Sequence, residues 1–165
     1  MSSRNQQAPD AAPQSEQIRD LADSRALALA MAGGPGQGYN EEAFRYFLNV
    51  ERKRSERSRR RFLLLLVDLK KHSDTNVWID SGLASKLVAI LSPCLRDTDF
   101  IGWYREGRTI GAVLTHLTDT PGTDISSVVG ARVNHALSRC RIRRDIAGQL
   151  QMRIYQLPPA LEHRG

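Results

Sequence analysis

Eight residues, FLLLLVDL at positions 62–69, stay apolar without alternation until Asp68 interrupts them. A strand with one wet face alternates, so an unbroken run of this kind predicts a strand covered on both faces. Around it the apolar positions take helical spacing. Phe44, Phe47 and Leu48 mark one face of a helix that opens at Tyr39, with Asn40 as N-cap. Glu41 and Glu42 fall in its first turn, where negative charge suits the helix dipole. That apolar face ends at Val50, and the segment is charged all round from there to Arg61. Leu83, Leu87, Val88, Ile90 and Leu91 predict a second helix within 79–96, with Pro93 disturbing its last turn. A hairpin follows over 99–104 and 109–115, turning at Arg105-Glu106-Gly107-Arg108 with Gly107 free to take a positive φ. A cap at Thr123 or Asp124 starts a third helix, with Ile125, Val128, Val129, Val133 and Leu137 inward, and 149–158 closes as a strand.

Upstream, residues 1–14 read as a disordered lead. Residues 15–32 read as a helix capped by Ser15, with Ile18, Leu21, Ala22 and Leu29 on one side. The glycine-rich stretch to residue 38 is a hinge, and 159–165 is a tail. Stripped of its leading helices, the domain over 39–158 is ordered βαββαβ, which predicts an α+β, ferredoxin-like sheet with helices on one face, and the extra helices stand N-terminal to that core.

Composition narrows the class. A 165-residue chain that is 41% hydrophobic has material for one core. The net charge of +6 points to an anionic partner, which can be a nucleotide, a nucleic acid or a lipid surface. The charge gathers in 51–61 and again in 138–145. Two unpaired cysteines and four scattered histidines lack metal-ligand spacing, so the reading assigns no metal and no cofactor. Lone thiols suit a reducing compartment. The start lacks a basic-then-apolar leader, and the apolar run at 62–69 is far too short for a bilayer, so the expected location is cytoplasmic. The hairpin shows no interleaved aromatics, and adjacent Trp103 and Tyr104 point to opposite faces, which argues against nucleic acid as partner. Trp78 is expected to be packed.

From Tyr39 to about Pro158 the chain resembles the GGDEF (diguanylate cyclase) domain of the nucleotidyl cyclase fold. YNEEAF resembles that family's opening helix, and LLLLVDL its first strand. Asp68 falls where the family places its first metal-binding aspartate, and Asn76 on its base-contacting asparagine. Arg96-Asp97-Thr98-Asp99 falls on the RxxD of its product-binding inhibitory site, at the matching distance before the turn. The departures are as informative. The signature Gly-Gly-Asp/Glu-Glu-Phe is here Arg105-Glu106-Gly107-Arg108-Thr109. The glycines that admit a triphosphate are gone, Gly107 and Arg108 stand at the acidic pair, and Lys70 replaces the second strand-end aspartate. The glycine–aspartate that recognises guanine is missing after Asn76, although Asp80 lies near.

The resemblance therefore implies a degenerate domain with no enzymatic activity. Two-metal phosphoryl transfer needs two converging carboxylates. Glu106 sits one position off, and a one-residue shift on a strand turns a side chain away. Asp68, Asn76, Arg105, Glu106, Gly107 and Arg108 are then remnants of a nucleotide and metal site. Taken alone, Asp68 also reads as a cap of its strand end. Arg96 and Asp99 have two readings. They can hold a ligand through a bidentate guanidinium and an accepting carboxylate, or they can tie the helix end to the strand start. The resemblance favours a cyclic di-GMP receptor acting through Arg96 and Asp99, in a bacterial signalling setting such as exopolysaccharide or biofilm control. The alternatives are an interaction module, working as a homodimer or on a protein of polysaccharide or signalling machinery, and a residual nucleotidyl cyclase.

Overall fold

The computed structural model of the protein describes residues 38–70, 77–115, 117, 122–142 and 144–158. The lead, the helix expected at 15–32, most of the hinge, the tail and Asn76 lie outside the described residues.

Helix α1 (Glu41–Ser58) starts where Asn40 Oδ1 accepts the Ala43 N–H at 2.8 Å. It ends at Arg59, whose left-handed backbone (φ 54°) turns the chain into β1 (Phe62–Leu69). Helix α2 (Ser81–Leu91) is capped by Asp80, whose carboxylate accepts the Leu83 N–H at 2.7 Å. Pro93 does disturb its end, which tightens into a single 3₁₀ turn at Ser92–Cys94. The hairpin is β2 (Phe100–Arg105) and β3 (Thr109–Leu114). Helix α3 (Ile125–Arg139) takes Asp124 as its cap, and a one-turn helix, α4 (Arg144–Ala147), leads into β4 (Leu150–Leu157). The four strands lie in the order β2-β3-β1-β4, and every neighbouring pair is antiparallel.

β1 is central, and its missing alternation now has a cause. Leu63, Leu65 and Val67 point into one core with Leu83, Leu87 and Leu91 of α2 and Val129 and Val133 of α3. Phe62, Leu64 and Leu66 point into a second core with Val113 and Phe44 of α1. The two helices of the βαββαβ core, α2 and α3, share a face as expected, and the leading helix α1 covers the other, because a strand apolar on both sides needs cover on both. Gly111 makes the approach of α1 possible, since a Cβ there would stand 2.7 Å from the Phe44 ring. Phe100 closes this layer, its ring centroid 5.5 Å from that of Phe44 and 5.7 Å from that of Phe47. Trp103 packs on the first core and Tyr104 against the second, on opposite faces as adjacency requires.

Two apolar positions depart from expectation. Val128, predicted inward, is 48% exposed, and Trp78, predicted packed, is 56% exposed. Among the described residues no helix is long and apolar enough to cross a membrane.

Candidate functional site

The hairpin tip is clamped from two sides. Its turn closes with the Arg108 N–H donating to the Arg105 carbonyl at 3.0 Å, and Gly107 takes φ +71°, open to glycine and strained for other residues. On one side the Glu106 N–H donates to Glu41 Oε2 at 2.7 Å, and Glu41 Oε1 also pairs with Arg45 at 2.7 Å. On the other the Ile79 N–H donates to the Gly107 carbonyl at 2.8 Å. The Trp78 ring lies against Gly107, so that a Cβ there would come within 2.7 Å of a ring carbon. The Arg108 guanidinium sits over the same ring, 4.5 Å from its centroid. Trp78 is thus exposed on one side because the turn occupies the other.

Asp68 does not cap its strand. Its Oδ2 accepts from Arg153 of β4, a diagonal partner, since Asp68 itself faces Gln151 and Arg153 faces Leu66. Oδ1 is buried without a hydrogen-bond partner. Partial burial pulls the Arg153 guanidinium down, but the charge of Asp68, with Tyr155 behind it, outweighs this and raises its pKa above the ordinary value. Lys70 is exposed one turn of the pleat further on. Among the described residues no group of three His, Cys, Asp or Glu side chains converges to hold a metal. One carboxylate already neutralised by an arginine does not fit a pair of divalent cations.

The second cluster is the turn 96–99, and it is closed at both ends. The Asp99 N–H donates to the Arg96 carbonyl at 3.0 Å, and the Arg96 N–H donates to Asp99 Oδ2 at 2.8 Å. The other oxygen, Oδ1, accepts the Thr115 N–H at 2.8 Å. Asp99 therefore stitches the turn to the end of β3, and the tie to Arg96 runs through that residue's backbone amide. The Arg96 side chain is exposed.

Two clefts flank this turn and meet at Asp99 and Thr115. The smaller, about 170 Å³, lies towards α3 and is lined by Cys94, Arg96, Leu117, Val128 and Arg132 among others. Burial pushes the Cys94 thiol pKa up, with Arg132 working against it. The larger, about 630 Å³, lies towards α1 and includes Tyr46, Phe47, Glu51, Arg54, Asp97 and Thr98. Glu51 and Arg54 face each other at 3.8 Å. Arg132 and Arg54 carried no local sequence signal. Arg132 is one arginine on a helix and Arg54 one of a basic run; only the fold brings Arg132 into the cleft of Arg96 and Arg54 into the cleft on the other side of the turn.

No protein-family model matches the sequence, and no curated protein matches it. Solved structures do. A DGC protein from Thermotoga maritima superposes with TM-score 0.55 at 16% identity, over 74% of this chain and 83% of that one. The diguanylate cyclase SiaD of Pseudomonas aeruginosa, solved with its activator SiaC, gives 0.52 at 21%, over 86% of this chain and 54% of that one. A sensory box/GGDEF family protein from Caulobacter crescentus CB15 gives 0.51 at 17%, over 73% and 80%. At these identities the likeness establishes the fold, an α+β arrangement of the GGDEF type.

Proposed function

We propose that the chain is a catalytically silent GGDEF-fold signalling module that binds cyclic di-GMP at the turn 96–99. The observation that carries this reading is a turn tied at both ends by Asp99, with Arg96 and Arg132 lining the cleft on one side of it and Arg54 the cleft on the other. A cyclic dinucleotide is a dianion with two purine faces. Guanidinium groups are suited to its phosphates, and the Tyr46 and Phe47 rings of the larger cleft are suited to stacking on a base. A cleft of about 630 Å³ lies in the range of small-molecule sites. Asp99 acts mainly by positioning, because each oxygen already accepts a backbone amide. Silence at the other end of the sheet is supported by the Asp68–Arg153 pair and by the Trp78 clamp on the turn. A cytoplasmic setting and a role in exopolysaccharide or biofilm control belong to this reading.

Calorimetric titration of the wild type, Arg96→Ala and Arg132→Ala with cyclic di-GMP tests it. Losing one charge-assisted contact of about 1.5–3 kcal/mol weakens binding roughly ten- to a hundredfold. No heat with the wild type removes the reading. The engagement of both Asp99 oxygens and the exposure of Val128 favour a second one, a protein-interaction or homodimer module that binds no nucleotide. Sedimentation of the free chain, alone and with candidate partners, distinguishes it.

A further inference from the structure

We infer that the C-terminal tip of α1 is a docking surface for a leaflet of anionic phospholipid. Positions 51–61 hold seven cations against two carboxylates, which is five units of the chain's net +6. All seven (Arg52, Lys53, Arg54, Arg57, Arg59, Arg60 and Arg61) are exposed. Nothing apolar interrupts them between Val50 and Phe62.

The tip has a defined shape. Ser55, only 3% exposed, donates its hydroxyl to the Arg60 carbonyl, and the left-handed Arg59 folds 59–61 back against the helix. Ser58 Oγ donates to the Arg54 carbonyl at 2.8 Å, closing the last turn. At about 100° per residue, Arg52, Lys53, Arg54 and Arg57 spread over roughly 200° of the helix circumference. The charge covers an arc wider than one narrow stripe, interrupted by Glu56 alone and continued by the exposed Arg59, Arg60 and Arg61. A flat anionic leaflet can meet such an arc as a whole, whereas a nucleic-acid groove takes a helix by one face. The tract also holds no aromatic side chain to stack on a base. With no apolar residue to insert, binding is peripheral and electrostatic, and so sensitive to salt.

The test is co-sedimentation of the full chain with phosphatidylcholine vesicles, with and without phosphatidylglycerol, over a series of salt concentrations. The variant replaces Lys53, Arg57, Arg60 and Arg61 by Gln and leaves Arg54, which lines the larger cleft, in place. The wild type is expected on the phosphatidylglycerol vesicles alone, leaving them as salt rises. The variant should partition roughly a hundred- to a thousandfold less, with an unchanged circular dichroism spectrum. Equal partition of the variant, salt-insensitive partition or no vesicle binding overturns the inference. Binding to duplex DNA without binding to vesicles also overturns it and assigns the tip to nucleic acid. None of these outcomes depends on cyclic di-GMP, so the ligand reading stands or falls separately.

Discussion

Asp99 and Arg96 are three residues apart and divide two kinds of work. The Asp99 carboxylate accepts backbone amides from Arg96 and Thr115, each at 2.8 Å, and charged-group hydrogen bonds of this sort contribute about 1.5–3 kcal/mol. Asp99→Ala should therefore lower unfolding free energy by about 2–4 kcal/mol, with Asp99→Asn between it and the wild type. Arg96→Ala, at an exposed side chain, should lower it by less than Asp99→Ala does. Urea denaturation of the three variants decides. A destabilised Arg96→Ala beside an unaffected Asp99→Ala would exchange the two roles. Asp124 gives a pH signature. The Ser127 hydroxyl donating to Oδ2 at 2.6 Å, helped by the Ser127 and Ser126 amides, lowers its pKa in the folded protein. A lowered folded pKa means that the cap's contribution is complete above the unfolded carboxylate value of about 3.9 and is lost as pH falls through the folded one. Asp124→Asn should be less stable than the wild type at neutral pH, and the gap should close in acid. A gap unchanged down to acid pH would show that the carboxylate charge does not matter to α3. At this scale the sequence displayed the pair but not its division of labour, because the partner that immobilises Asp99 is Thr115, sixteen positions on.

Elements were more legible than single side chains. The strand at 62–69 has the bounds its apolar run implied, and the hairpin turns where Gly107 allows it. What the pattern of α1 could not reveal was which side of the sheet it covers. Its apolar face is the same in either position, and the choice rests on Gly111 and Phe100 making room and contact for Phe44. Trp78 misled for a related reason. An apolar ring can be held by a turn at the surface as well as by a core, and hydropathy does not separate the two. The clamp has a measurable consequence. Gly107→Ala should cost about 1–2 kcal/mol for its left-handed backbone, and more because the added methyl meets the Trp78 ring. In a Trp78→Ala background only the backbone cost should remain. A double-mutant cycle that returns the same penalty in both backgrounds would remove Trp78 from the account of the turn.

The whole molecule separates two ends of one sheet. At the end of the turn 96–99 two clefts meet at Asp99 and Thr115, with Arg96 and Arg132 lining one and Arg54 the other. At the hairpin end the carboxylate that remains, Asp68, is bound to Arg153, and Lys70, Arg105 and Arg108 add positive charge nearby. Phosphoryl transfer through two metals requires carboxylates to hold cations a few ångströms apart, and cations of the protein's own make the same edge repel them. Incubation with GTP and Mg²⁺ or Mn²⁺ should therefore give no cyclic or linear dinucleotide above an Asp68→Ala control. Arg153→Ala is the sharper experiment. It frees Asp68 without supplying the second carboxylate, so turnover should stay absent while the protein loses about 1–3 kcal/mol from stranding a partly buried charge. Product from the wild type would mean that Glu106 reaches the metals from its shifted position. Product from Arg153→Ala alone would mean that the arginine, and not the altered turn, is what silences the site.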